Sequence, residues 1–144
     1  MGLGAWCKGL GALLWKIELD TVAKMKVRFR FQTLDIWKRA ITIGDRLLDI
    51  ADQLEVRHRY RFAEQLRGAA LSVSNNIAEG SGSASDKDFA HFLNIAKRSA
   101  FENANMVLAF HRRQLISDVE VGSLLEELET ECRMIESFRK RLKY

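Results

Sequence analysis

The stretch QLRGAALSVSNNIAEGSGSASDKDF, Gln65 to Phe89, constrains the fold more than any other part of the chain. It reads as an apolar-periodic helix, a Gly/Ser turn and the start of a further helix. Phe62, Leu66, Ala69, Ala70, Val73 and Ile77 recur at helical spacing, which predicts a helix from about Tyr60 to Glu79. Its centre is small (Gly68, Ala69, Ala70, Ser72, Ser74), so a neighbouring backbone can come close. Gly80 is the expected left-handed C-cap. Ser85, with Asp86 and Asp88 behind it, is the expected N-cap of the next helix, with acids at the positive end of its dipole.

Three more helices follow from the same spacing rule. Ile36, Trp37, Ala40, Ile41, Leu47, Leu48, Ala51 and Leu54 predict a first helix over about Leu34 to Leu54, with Thr33 as its N-cap and Gly44 on its apolar stripe. Before it, Met25 to Gln32 alternates basic and apolar residues and reads as a short extended arm. Phe89, Phe92, Leu93, Ala96, Ala100, Asn103, Met106, Val107 and Phe110 form one seam running to about Arg113, a helix of about 43 Å. Asn103 is the one polar residue in that seam. Ser117 to Glu120 is a capping box, and Val121, Leu124, Leu125, Leu128, Cys132, Ile135, Phe138 and Leu142 line the last helix. Acids come first on this helix and bases last, as its dipole favours. With no proline in 144 residues and short joints, the expected architecture is all-α, an antiparallel up-down-up-down four-helix bundle.

The bundle is expected to occupy residues 25–144 as one domain, with 1–24 an N-terminal extension. For that extension three readings stay open: sequence upstream of a start at Met25, a short helix or tail, or a membrane-associating segment. It lacks both a convincing secretion signal and an apolar run long enough to span a bilayer. Cys7 and Cys132 lie far apart with no ligand spacing, so neither a disulfide framework nor a zinc site is expected, and the compartment reads as cytoplasmic.

Few residues suggest chemistry. Glu55-Val-Arg-His58 has the spacing of a di-metal carboxylate motif and Asp88-Phe-Ala-His91 imitates it, but the first falls at a helix joint and His91 should face outward. His111 has no ligand-spaced companion. Gly80-Ser-Gly-Ser could cradle phosphate through backbone N–H groups, yet no Gly-Lys-Ser/Thr follows, and a plain turn is the simpler reading. No cofactor, metal or catalytic residue is expected. A set of polar residues on or beside the seams, Gln65, Arg67, Asn76, Glu79, Ser99, Glu102 and Asn103, is expected to form a network across the second and third helices or across a subunit contact.

LDIWKRAI in the first helix, YRFAEQLRGAALSVSNNIAEGSG in the second and KDFAHFLNIAKRSAFE in the third resemble the four-helix bundle proteins encoded in intervening sequences of bacterial 23S rRNA genes. That family is also similar to the accessory variability determinant proteins of diversity-generating retroelements. The resemblance covers about Phe31 to Leu142 and is strongest at Ser74 to Gly80. It implies a homopentamer with a central channel and, for the retroelement branch, a basic surface that binds nucleic acid and a reverse transcriptase. The chain has a net charge of +4, and 14 of its 23 basic residues are arginine, whose guanidinium pairs bidentately with phosphate. The expected function is therefore non-enzymatic nucleic-acid binding through Lys26, Arg28, Arg30, Lys38, Arg39, Arg57, Arg59, Arg61, Arg112 and Arg113. The alternative is a scaffold that docks a protein such as a reverse transcriptase, with the arginines only solvating the surface.

Overall fold

The computed structural model describes residues Lys26–Tyr144, so the expectations for residues 1–24 lie outside the described part. A single-turn 3-10 helix, Arg30–Thr33, leads into five helical segments: α1 (Asp35–Val56), α2 (Tyr60–Ala70), α3 (Ser72–Ser81), α4 (Asp86–Arg112) and α5 (Asp118–Arg139). Only Leu71 separates α2 from α3, so these two form one bent rod and the fold is a four-helix one; the described residues contain no strand.

The rods share one core. Leu47, Ile50 and Leu54 of α1, Leu66 of α2, Ile77 of α3, Phe89, Leu93 and Val107 of α4, and Leu124, Leu128 and Ile135 of α5 are all buried in it. Ionic contacts along the flanks fix which helices meet. Arg46 on α1 reaches Glu127 on α5 at 3.0 Å and donates to Ser123 Oγ at 3.1 Å. Lys97 on α4 reaches Glu136 on α5 at 3.0 Å. Arg67 on α2 donates to Asp52 at 2.6 Å and to Glu55, both on α1.

Two glycines let backbones touch. A methyl group placed on Gly44 would lie 2.9 Å from the Ala70 carbonyl oxygen and 3.1 Å from Leu71 Cδ2, so α1 meets the bent rod at its break. One placed on Gly80 would lie 2.5 Å from Phe92 Cβ and 2.8 Å from Phe89 Cδ2. Gly80 is therefore not a left-handed C-cap, as its sequence position suggested. The helix runs through it to Ser81, Gly82 is the C-cap with φ −86°, and Gly80 is small because α4 lies against it.

The left-handed caps fall elsewhere, at His58 (φ 59°) and Gln114 (φ 58°). In both, the next residue's N–H returns to a carbonyl five back, Arg59 to Leu54 at 2.8 Å and Leu115 to Phe110 at 3.0 Å. These are Schellman motifs closing α1 and α4. Thr33 is not the N-cap of α1 either, since its hydroxyl donates to Arg30 O and Leu34 takes the cap position without a side-chain bond. The arm folds back partly for the same reason: Gln32 Oε1 accepts from the N–H of Arg28 and of Phe29, both at 2.9 Å, and winds the 3-10 turn. Ser85 and Ser117 do cap as expected, accepting from Asp88 N at 3.2 Å and Glu120 N at 3.3 Å.

The glycines make opposite predictions. Gly80→Ala should lower the unfolding free energy by about 1–3 kcal/mol, because the added methyl must displace two phenylalanines. Gly68→Ala, on a helix position with nothing within 4 Å, should raise it by roughly 0.5–1 kcal/mol through helix propensity. Urea denaturation of the two variants beside the unsubstituted chain checks both signs.

Candidate functional site

The α1–α2 joint and the α4–α5 joint lie at the same end of the molecule. Arg57 Nη1 donates to Leu115 O at 3.1 Å across them, the Phe62 and Phe110 rings meet edge-on at 5.3 Å, and the Arg113 guanidinium sits 5.6 Å over the Phe62 ring. Helix geometry brings these arginines together: α1 ends before Arg57, α2 begins after Arg59, and α4 ends at Arg112. Arg57, Arg59, Arg61, Arg112 and Arg113 therefore share one exposed end, where sequence alone had them at two places, the first joint and the far end of the third helix. The guanidinium groups of Arg59, Arg61 and Arg112 have no protein partner among the described residues. Of the acids near this end, Glu55 is engaged by Arg67 and Asp118 by His111 Nε2 at 2.6 Å, while Glu64, three residues after Arg61, is exposed.

The other expected phosphate contacts do not join this cluster. Lys26, Arg28, Arg30 and Lys38 precede or begin α1, with Lys38 about 28 Å along it from Arg57. Lys38 lies 3.9 Å from Asp35, and the Arg30 guanidinium covers the Phe89 ring at 5.2 Å. Arg39 is a correction. Its side chain is one-third exposed and its Nε is buried, 3.8 Å from Glu131 Oε2, because the only fully buried carboxylate among the described residues lies opposite it.

The expected polar network does not assemble within the chain. Gln65, Glu79 and Glu102 make no side-chain bond that joins α3 to α4, and Glu102 is exposed. Asn76 donates to Ser72 O of its own helix at 2.7 Å, since a helical asparagine finds the carbonyl one turn back before any other helix. Arg67 turns to α1 instead of α4. Ser99 and Asn103 are buried, and neither amide atom of Asn103 has a partner. The buried polar centre is Glu131, which the acidic run had hidden: it is 0% exposed, with both carboxylate oxygens lacking a hydrogen bond. Burial pushes its carboxyl up to about 8, and Arg39 only partly opposes that. The signal was in the spacing, because Val121, Leu124, Leu128, Glu131, Ile135, Phe138 and Leu142 step by three and four without interruption.

Glu55 and His58, which carried the metal-like spacing, have other uses: Glu55 holds Arg67, and His58 Nδ1 meets the Tyr60 hydroxyl at 2.8 Å. His91 is exposed on α4. Among the described residues no three His, Cys, Asp or Glu side chains are grouped to hold a metal. No helix among them is long and apolar enough to cross a membrane.

A family model, described as 23S rRNA-intervening sequence protein, matches residues 32–137. The chain belongs to that family. A crystal structure of a protein of unknown function from the S23 ribosomal protein family of Bacteroides thetaiotaomicron is similar in fold, with a TM-score of 0.69 at 20% identity. The match covers 73% of this chain and 98% of that one. No curated protein matches. The matched family residues include α1 to α4 and α5 as far as Ser137.

One acid group is set for a pH test. Glu136 accepts from Arg139 Nη2 at 2.7 Å and from Lys97 Nζ at 3.0 Å, which hold its carboxyl down at about 2. A depressed folded value contributes stability above the ordinary value of 4.5 that is lost as pH falls toward 2. Glu136→Gln should therefore be less stable than the unsubstituted chain at about pH 6, with the gap closing as the pH falls below about 4. Urea midpoints across that range measure it.

Proposed function

We propose that this protein is a non-enzymatic, oligomeric member of its family that binds RNA or DNA through phosphate contacts at the end where the two joints meet. The observation that carries this reading is the cluster Arg57, Arg59, Arg61, Arg112 and Arg113, in which the guanidinium groups of Arg59, Arg61 and Arg112 have no protein partner among the described residues. Unpaired guanidiniums on an exposed surface suit phosphate because they offer two parallel N–H donors at little desolvation cost. The rods of this reading alternate in an up-down-up-down order. Its support is that the α1–α5 pairs run in opposite senses, Arg39 with Glu131 and Arg46 with Glu127, as do the α4–α5 pairs Lys97 with Glu136 and His111 with Asp118. The compartment is the cytoplasm.

A second reading, a scaffold docking a protein such as the reverse transcriptase of a diversity-generating retroelement, has one observation of its own. Phe101 and Leu108 are 66% and 47% exposed and lie two turns apart on one face of α4. The same pair suits contact between copies, and the resemblance to pentameric relatives makes five copies the assembly to test by mass in solution.

Fluorescence anisotropy with labelled single- and double-stranded RNA and DNA over a range of salt tests the first reading. Affinity should fall steeply with salt, and the combined Arg59→Gln, Arg61→Gln and Arg112→Gln variant should weaken binding and flatten the salt slope by roughly 2–3. Arg133→Gln, whose guanidinium is held by Glu129 at 2.7 Å on the flank of α5, should change neither. Absence of binding at low salt, or binding indifferent to the triple substitution, removes this reading. A partner retained after nuclease treatment favours the scaffold.

A further inference from the structure

Among the described residues, the interior of this fold holds one carboxyl group, one amide and one guanidinium nitrogen that no hydrogen bond satisfies. Glu131 on α5 and Asn103 on α4 are both 0% exposed, and Arg39 Nε is buried on α1. At 3.8 Å, Arg39 is within ionic range of Glu131 Oε2 and beyond hydrogen-bond length. The pairs Lys97–Glu136 and His111–Asp118 set the register of α4 on α5 and put Asn103 within about one turn of the level of Glu131. Residues satisfying only packing would be apolar here, as Val121, Leu124, Leu128 and Ile135 are along the same seam.

We propose that Glu131, Arg39 and Asn103 form a proton-operated clasp between α5, α1 and α4, closed when the Glu131 carboxyl carries its proton and loosened when it ionises. A neutral carboxyl presents one donor and one acceptor, which an asparagine amide matches in kind. A carboxylate presents only acceptors and needs several donors. Arg39 supplies one nitrogen at a distance, and burial charges the ion its full desolvation cost.

The other charged groups on the packed helices are turned to different partners or to solvent. Among the described elements, α5 packs against α1 and α4 alone. On α1, Arg46 is held by Glu127; on α4, Lys97 is held by Glu136, while Arg98 and Glu102 lie away from the buried seam. On α5 itself, Glu129 is paired with Arg133, and Cys132 beside Glu131 is a half-buried thiol that burial pushes up. Water drawn in from the Arg39 side, where that side chain reaches the surface, is the route by which an ionised Glu131 regains solvation. Opening that route separates α5 from α1.

The direction of the pH response follows. A carboxyl whose folded value is raised to about 8 from 4.5 keeps in the folded protein a proton that the unfolded chain has lost. The contribution is complete below 4.5, is lost progressively as pH rises to about 8, and does not change further above it. Over that window the folding constant falls by up to about tenfold per pH unit from this group.

The test uses the full chain with Cys7→Ser, so that Cys132 is its single thiol, with and without Glu131→Gln. Two readouts are taken between about pH 5 and pH 9: the urea midpoint, and the rate of Cys132 alkylation relative to the same chain unfolded at the same pH. The clasp requires the midpoint to fall and the relative alkylation to rise up to about pH 8 with Glu131 present, and both changes to be absent from the Glu131→Gln chain. Parallel pH curves for the two chains, or alkylation that does not respond to pH, overturn it. Should Glu131→Gln not fold, carbon-labelled glutamate infrared spectra of the unsubstituted protein decide. A protonated carboxyl band persisting at about pH 7 supports the clasp, and carboxylate bands alone at about pH 6 overturn it.

Discussion

Close backbone contact at two glycines sets where the rods of this protein stand. Gly44 meets the chain at Ala70 and Leu71, and Gly80 meets the two rings Phe89 and Phe92. The first contact falls at the break between α2 and α3, where Ser72 Oγ donates to Ala69 O at 2.6 Å and so competes for a carbonyl near the break. The bend allows one rod to follow α1 with its first half and to press on α4 with its second. A β-carbon at either glycine would push these surfaces apart, and the core side chains Leu47, Leu66, Ile77 and Leu93 would lose contact with them.

Tight packing of this kind makes the buried carboxyl more consequential. Glu131 sits between Leu128 and Ile135 on a seam that is otherwise apolar, and a close-packed interior has little room to solvate it. Replacing a buried charged pair by apolar residues of similar volume is often neutral or stabilising, so the presence of Arg39 and Glu131 does not follow from stability alone. A group that is neutral when the fold is closed, and charged when it opens, links the packing of α5 to the proton concentration without any ligand.

Much of this was legible from residue spacing. The four rods, the capping roles of Ser85 and Ser117, the place of Gly44 on the apolar stripe and that of Asn103 in its seam all follow from local rules, which need only neighbours within a turn or two. The misreadings share another cause. Gly80 looked like a cap because glycine favours left-handed backbone, but its neighbours are rings of α4, which lie farther along the chain and come into contact only after folding. His58 and Gln114 took the left-handed positions because the Schellman hydrogen bonds and the packing around them outweigh the backbone preference of a non-glycine residue. Glu131 was read as one acid among several, although the three-four step of its seam already placed it inside. The arginine cluster was named residue by residue, whereas its convergence depends on two joints meeting end to end, and spacing carries no information about that.

The same folding that pairs the flanks leaves the ends uncompensated. Along the sides, Arg46 meets Glu127, Arg67 meets Asp52 and Glu55, Lys97 and Arg139 meet Glu136, and Arg133 meets Glu129. Pairs like these cancel at close range, so they add little to the field a distant polyanion experiences. Arg59, Arg61 and Arg112 have no such ion pair; Arg112 closes α4, whose carbonyl end favours positive charge, whereas Arg59 and Arg61 stand at the N-terminus of α2. A modest net charge of +4 therefore understates the local charge at this end. For phosphate recognition the arrangement of the arginines matters more than their total, and in this fold the arrangement is set by which joints share an end.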